Sequence, residues 1–188
     1  MGEVRVMGVD PAFRNTGWVH MQLGDSSERI QAVGLVRTKK TDKKMRILES
    51  DDRHRCCNEI AMALNSAIDV FVPHYICAEA LVGSKGAAAA TMQGMAWGVL
   101  SAITAVRKIP VFTVSPQGMK KALCGSKSAS KEDIENAVKA RYPNAAGIVG
   151  SINPPGAREH VYDAIGVVIA CLGLPEIMAL KRQFYLKE

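Results

Sequence analysis

The chain has 188 residues, 48% of them hydrophobic and 22% charged, which suits one folded domain over residues 1–188 and excludes a disordered or low-complexity chain. A formal net charge of +6 and a pI of about 9.1 favour a polyanionic partner. Five cysteines (Cys56, Cys57, Cys77, Cys124 and Cys171) without a CxxC pair argue for reduced, buried thiols and against a zinc site. The first residues lack the pattern of a signal peptide, and no apolar run is expected to approach the roughly 20 residues of a membrane span, so a soluble, intracellular (cytoplasmic) protein away from membranes is expected.

Val4–Asp10 is a short valine-rich run ending at Asp-Pro, and it reads as a buried strand. A turn over 13–17, a strand over 18–23, a turn over 24–27 and a strand over 29–38 make an antiparallel meander. Residues 37–46 carry six Lys or Arg against one Asp. A long helix follows, with Ile60, Leu64, Ile68 and Phe71 on one face and Pro73 as its stop. Residues 75–80 form a buried strand with Glu79 near its end.

Residues 84–107 read as a helix rich in small residues, with Gly94 and Gly98 four apart. A strand spans 109–114, and Ser115-Pro116 opens a short helix that ends near Gly125. Ser130 with Asp133 resembles a capping box for a helix to Arg141. A loop over 144–156, an apolar helix over 160–172 and a last helix from Pro175, carrying Met178, Leu180 and Leu186, complete the chain. That order predicts an α/β fold, a mixed five-stranded sheet of three antiparallel and then parallel strands, flanked by helices.

Four residues stand out; three have an ordinary explanation when taken alone, and Glu79 is harder to dismiss. Asp10 is a common turn residue before proline. His160 and Asp163 lie three apart on one helical face, as a solvated helix end also would. Glu79 follows Tyr-Ile-Cys-Ala, where an unpaired carboxylate is costly to bury. Together, two acids at strand ends and a His/Asp pair on a late helix can meet at one edge of a sheet. Hard divalent ions take oxygen ligands, and a pair about 4 Å apart can hold the attacking and leaving oxygens of a phosphodiester. No Ser or Cys sits in a nucleophile-elbow motif.

At these residues the sequence resembles the RuvC-type Holliday junction resolvases of the ribonuclease H-like superfamily. Gly8-Val9-Asp10-Pro11-Ala12-Phe13-Arg14-Asn15-Thr16-Gly17 is similar to that family's first-strand motif, and Cys77-Ala78-Glu79 to its second acidic motif. Gln93-Gly94-Met95-Ala96-Trp97-Gly98 resembles its Gly-Gln-Ala-Arg-Gly-type helix segment, and His160-Val161-Tyr162-Asp163-Ala164 its closing Asp-x-x-Asp-Ala motif, whose first position is Asp or His. Lys120 and Lys131, with Gly125 between them, fall at the spacing of its two DNA-contacting lysines. The resemblance runs from about residue 4 to 172. It departs at Val82, where the family carries an aromatic residue that stacks on a base, at Ala12 in place of glycine, and at Trp97 in place of arginine.

The resemblance implies a homodimeric endodeoxyribonuclease that binds four-way junctions and other branched DNA, and nicks two opposing strands symmetrically with two Mg²⁺ or Mn²⁺ per active site. By the same resemblance Asp10 bridges the ions, Glu79 holds one, Asp163 and His160 hold the other, and Lys120 and Lys131 hold phosphates. An exonuclease, flap nuclease or debranching nuclease would share the chemistry, and the missing aromatic at Val82 speaks for these. Asp10 through Thr16-Gly17 also resembles the phosphate loop of actin-like kinases, but 188 residues leave no room for their second domain. A DNA-binding module with a lost active site finds no support, because all four acidic and histidine positions are filled.

Overall fold

Branched and aromatic residues dominate the segments that become strands in the computed structural model, which describes residues 3–24, 27–83 and 86–185. The strands are β1 (Val4–Asp10), β2 (Asn15–Leu23), β3 (Glu28–Arg37), β4 (Tyr75–Glu79) and β5 (Val111–Val114), in the sheet order β3-β2-β1-β4-β5. The pairings β1–β2 and β2–β3 are antiparallel, while β1–β4 and β4–β5 are parallel. The helices are α1 (Glu49–Phe71), α2 (Ala87–Arg107), α3 (Pro116–Cys124), α4 (Lys131–Arg141), α5 (Ala145–Gly150), α6 (Glu159–Cys171) and α7 (Pro175–Tyr185). The expected mixed sheet with flanking helices is the observed one.

Side chains alternate across a strand, so the sheet sorts the chain into two cores. On one face Val4 and Val6, Val19 and Met21, and Tyr75 and Cys77 pack with Val161, Ile165 and Val168 of α6. On the other, Met7, Val9, Ile76 and Ala78 meet Ile60, Leu64 and Ile68 of α1 and Leu100 and Ile103 of α2. Each fully buried Leu, Ile or Val contributes about 1.5–3 kcal/mol against the entropy of ordering the chain.

Helix α6 is the hub, and every residue from 161 to 169 is buried. Two glycines let it lie on the strands without a gap. A Cβ on Gly8 would stand 2.3 Å from the Ala164 carbonyl oxygen, and one on Gly17 would stand 2.2 Å from that of His160. No residue but glycine fits either place unless the helix moves.

Several expectations need correction. Strand β2 begins at Asn15 instead of 18, because Asn15, Thr16 and Gly17 pair with 35–37 of β3. Strand β5 begins at Val111 instead of 109; Pro110 has no N–H, and its carbonyl accepts from Ile76 N at 2.9 Å. The expected loop over 144–156 contains α5 and a 3₁₀ turn over Pro155–Ala157. Ala145, Val149 and Ala157 are buried there, so docking onto the core outweighs the local Asn, Gly and Pro content. Phe71 is only half-buried and stacks on His20, with ring centroids 4.2 Å apart.

The expectation of no apolar run of membrane length also fails by length and composition, because α2 has 21 residues and is apolar enough to span one. It packs Ala96, Leu100, Ile103 and Thr104 inward and leaves most of its surface exposed. Asp25 and Ser26 of the expected turn over 24–27, residues 84 and 85 at the expected start of α2, and Leu186 lie outside the described residues.

Candidate active site

Asp10 and Glu79 come together through strand parity and register. The parallel register Val9↔Ala78 sets the last residue of β1 beside the last of β4. Asp10 shares the face of Gly8, and Glu79 that of Cys77, so both carboxylates project toward α6. The antiparallel register Asp10↔Gly17 then fixes α6 over the same point, since Gly17 lies directly beneath the His160 carbonyl. The close approach at Gly17 therefore serves both packing and the placement of the histidine.

His160 Nδ1 lies 2.7 Å from Asp10 Oδ2, a bond across 150 residues of chain. Asp163, one turn along α6, is 3% exposed, and its Oδ1 has no hydrogen-bond partner among the described residues. Its Oδ2 accepts from Lys131 Nζ, which also stands 3.7 Å from Glu159 Oε2. Lys131 reaches it because the capping box forms as expected. Ser130 Oγ accepts from Asp133 N, and Asp133 Oδ2 accepts from Ser130 N at 2.8 Å, so α4 starts with Lys131 facing α6.

The electrostatics are those of anions crowded without enough positive charge. Burial, then the charges of Asp10 and Asp163, push the Glu79 carboxyl up to about 7. Asp163 is also raised, by burial above all, although Lys131 opposes the rise. Burial works against a charged His160, but the bond to Asp10 and the surrounding carboxylates outweigh it and raise the imidazole. The same balance raises Lys131: burial would lower it, and Asp163 more than compensates.

All four residues expected at the site thus gather on one edge of the sheet. Among the described residues no three His, Cys, Asp or Glu side chains stand as a finished coordination shell. The donor set nevertheless fits a hard divalent cation. It offers three carboxylates, one with an orphaned buried oxygen and one, Glu79, raised by burial and then by its neighbours' charge. Of the two expected lysines, Lys131 is brought to the carboxylates; Lys120 is half-buried on α3 and makes no ion pair among the described residues. Sequence reasoning passed over Glu159, whose Oε1 lies 3.9 Å from His160 Nε2. Its only signal is its place just before the His-x-x-Asp pair. Val82 is 42% exposed beyond the end of β4.

The family model described as Crossover junction endodeoxyribonuclease RuvC matches residues 6–170. The chain belongs to the RuvC family. Relatives named as crossover junction endodeoxyribonuclease RuvC include that of Bartonella tribocorum, 29% identical over 142 residues, 76% of this chain and 78% of the relative. That of Pseudothermotoga lettingae is 30% identical over 137 residues, 71% of this chain and 77% of the relative. Among solved structures, T. thermophilus RuvC in complex with a Holliday junction substrate is similar, with a TM-score of 0.69 and 20% identity over 94% of this chain and 96% of that one. The yeast mitochondrial Holliday junction resolvase is similar with a TM-score of 0.61 and 13% identity, over 97% of this chain and 82% of that one. At these identities the structural likeness bears on the fold, and the fold is that of the RuvC-like resolvases.

Proposed function

We propose that this RuvC-family nuclease domain, spanning residues 1–188, resolves four-way DNA junctions inside the cell. In this reading it works as a homodimer whose two sites each nick one of two opposing strands, with two Mg²⁺ or Mn²⁺ per site. The observation that carries the reading is the convergence of Asp10, Glu79, His160 and Asp163 from three distant parts of the chain on an edge short of positive charge.

Asp10, Glu79, Asp163 and His160 would hold the ions. Bound there, divalent cations supply a Lewis acid for the phosphoryl oxygens and a lowered pKa for the attacking water. Asp10 fixes the imidazole through Nδ1, which leaves His160 Nε2 to hold an ion or take the water proton. Lys131 pairs with Asp163; with a cation held at that carboxylate, its ammonium would be free to hold a DNA phosphate. Lys120 adds a second phosphate contact by charge. These contacts position a strand without reading its sequence.

The exposed side of α2, with Gly94 and Gly98 open to solvent, would meet a second copy. Two identical sites about a two-fold axis suit a nearly symmetric junction. The deciding assay compares initial cleavage rates on a labelled mobile junction, a flap and a blunt duplex, with Mg²⁺, with Mn²⁺ and without metal. Paired nicks across the junction, dependent on metal, are expected. Faster degradation of the blunt duplex from its ends would overturn the substrate, and light scattering that finds only a monomer with and without junction DNA would overturn the dimer.

A further inference from the structure

The linker between β3 and α1 concentrates cations, six Lys or Arg against one Asp over residues 37–46. Arg37, Lys39, Lys40, Lys43, Lys44 and Arg46 are all exposed, and none makes an ion pair among the described residues. Three nearby acids are paired with arginines outside the segment. Glu49 pairs with Arg53 at 2.5 Å, and Asp52 and Glu59 both pair with Arg55. Asp42 accepts from Lys44 N at 2.9 Å and caps the 3₁₀ turn Lys43–Met45.

A run of like charges is ordinarily a solvated, loosely held face. The first half of this one is fastened to the rest of the fold. Thr38 Oγ1 donates to Phe13 O at 2.6 Å, and Thr38 N donates to Arg14 O at 3.1 Å. Asp52, 5% exposed in the first turn of α1, accepts from Thr41 N at 3.1 Å and from the Thr41 hydroxyl. Arg55 Nη2 bridges Asp52 Oδ1 at 2.7 Å and Lys39 O at 2.5 Å. The backbone is tied down by a buried anion while the cationic side chains face outward. Holding residues 38–41 in place before a ligand arrives removes part of the entropic cost of binding.

The position matters as much as the order. The loop that holds Thr38 is the one directly after Asp10, so the segment leaves the sheet at the edge that bears the carboxylates. Registers Asp10↔Gly17 and Gly17↔Leu35 place Arg37 two strands across and two residues beyond Asp10. At about 4.8 Å per strand and 3.4 Å per residue, the two Cα atoms lie roughly 12 Å apart. With a rise of about 3.4 Å per nucleotide, that is a few nucleotides along a strand. Lys120 and Lys131 lie on the α6 side of the sheet, whereas this segment runs to α1 on the other.

We propose that residues 37–46 form a second phosphate-binding track, which holds the sugar-phosphate backbone of a DNA arm on the flank of the active site away from Lys120 and Lys131. The proposal rests on the nucleic-acid reading of the site and adds where the arm leaves it.

The test is a binding titration, by fluorescence anisotropy and without divalent metal, on a four-way junction and on a linear duplex of roughly 25 base pairs over about 50 to 300 mM KCl. Wild type is compared with a protein carrying Lys39→Gln, Lys40→Gln, Lys43→Gln and Lys44→Gln, all at exposed positions where folding is not at stake. Each lost phosphate contact should make the slope of log K against log salt shallower by about 0.9, and junction affinity should fall about tenfold or more. The pair Lys43→Glu and Lys44→Glu should weaken binding further than the corresponding Gln pair. Slopes and affinities equal to those of wild type in all of these variants would overturn the track. If wild type binds duplex but shows no preference for the junction and nicks none, the functional reading fails, while the slope comparison on duplex still decides the track.

Discussion

The two faces of the sheet are built to different tolerances. On the α6 face, backbone meets backbone at Gly8 and Gly17, and the helix that results carries His160 and Asp163 to within reach of Asp10 and Glu79. On the opposite face, α1 and α2 pack through ordinary side chains, a cavity of about 580 Å³ opens beside Trp18, His20 and Ala67, and α2 keeps an exposed small-residue surface. Precision is concentrated where the chemistry needs several groups held together. The looser face carries the cavity and the exposed helix surface instead.

Adding one methyl group to the tight face should be the most disruptive single change of packing. Gly8→Ala puts a Cβ against the Ala164 carbonyl, with Val168 and Val19 at 2.6 and 2.8 Å, so α6 must move as a body. We expect a loss of about 3 kcal/mol by urea denaturation, near the upper end for overpacking, with cleavage lost more steeply than stability. A variant that melts and cleaves like wild type would show that α6 is not held by this contact.

The loose face should reveal itself through pH. Burial lowers His20 from 6.5 to about 4, and its Nε2 has no partner among the described residues. The unfolded chain takes up a proton at His20 below 6.5 while the folded one stays neutral until about 4. Stability from this residue is therefore complete above pH 6.5 and is lost as pH falls through that window, by up to about 3 kcal/mol. Denaturation at pH 7.5 and pH 4.5 should show this loss in wild type and a smaller one in His20→Phe. Equal losses in the two proteins would assign the acid sensitivity to other groups.

The smallest effect contrasts directly with the first. Gly94 has nothing within 4 Å of a built Cβ, so Gly94→Ala should raise the stability of the isolated chain by about 0.5–1 kcal/mol through helix propensity. If the exposed side of α2 packs on a second copy, the same methyl should weaken self-association. Melting at low and high protein concentration separates the two effects. A drop in melting temperature at low concentration would mean that Gly94 is packed within the chain after all.

Much of the site could be read before folding was considered, for a physical reason. Asp10 and Glu79 end apolar strands, and a charge placed there is either a turn residue or part of a site. The Ser130-Asp133 box was legible too, because capping is local. Contacts that depend on packing were not. The expected phosphate ligand Lys131 sits on Asp163 because α4 and α6 dock together, and Glu159 joins the cluster only because α6 starts where it does. Helix α5 was hidden by its Asn, Gly and Pro neighbours, since its stability comes from Ala145 and Val149 entering the core. The contrast between α6 and α2 was also out of reach. Both are apolar in sequence, and only the glycines on β1 and β2 reveal which one the sheet encloses.

The central claim is that the converged carboxylates perform metal-dependent strand cleavage while other residues bind the DNA. The most direct test measures cleavage and binding of one labelled four-way junction by wild type, Asp10→Asn and Glu79→Gln in Mg²⁺. The account predicts paired nicks by wild type, and in both variants a loss of cleavage of about a thousandfold or more with junction affinity retained. Either variant cleaving within about tenfold of wild type would contradict it, and would remove that carboxylate from the site.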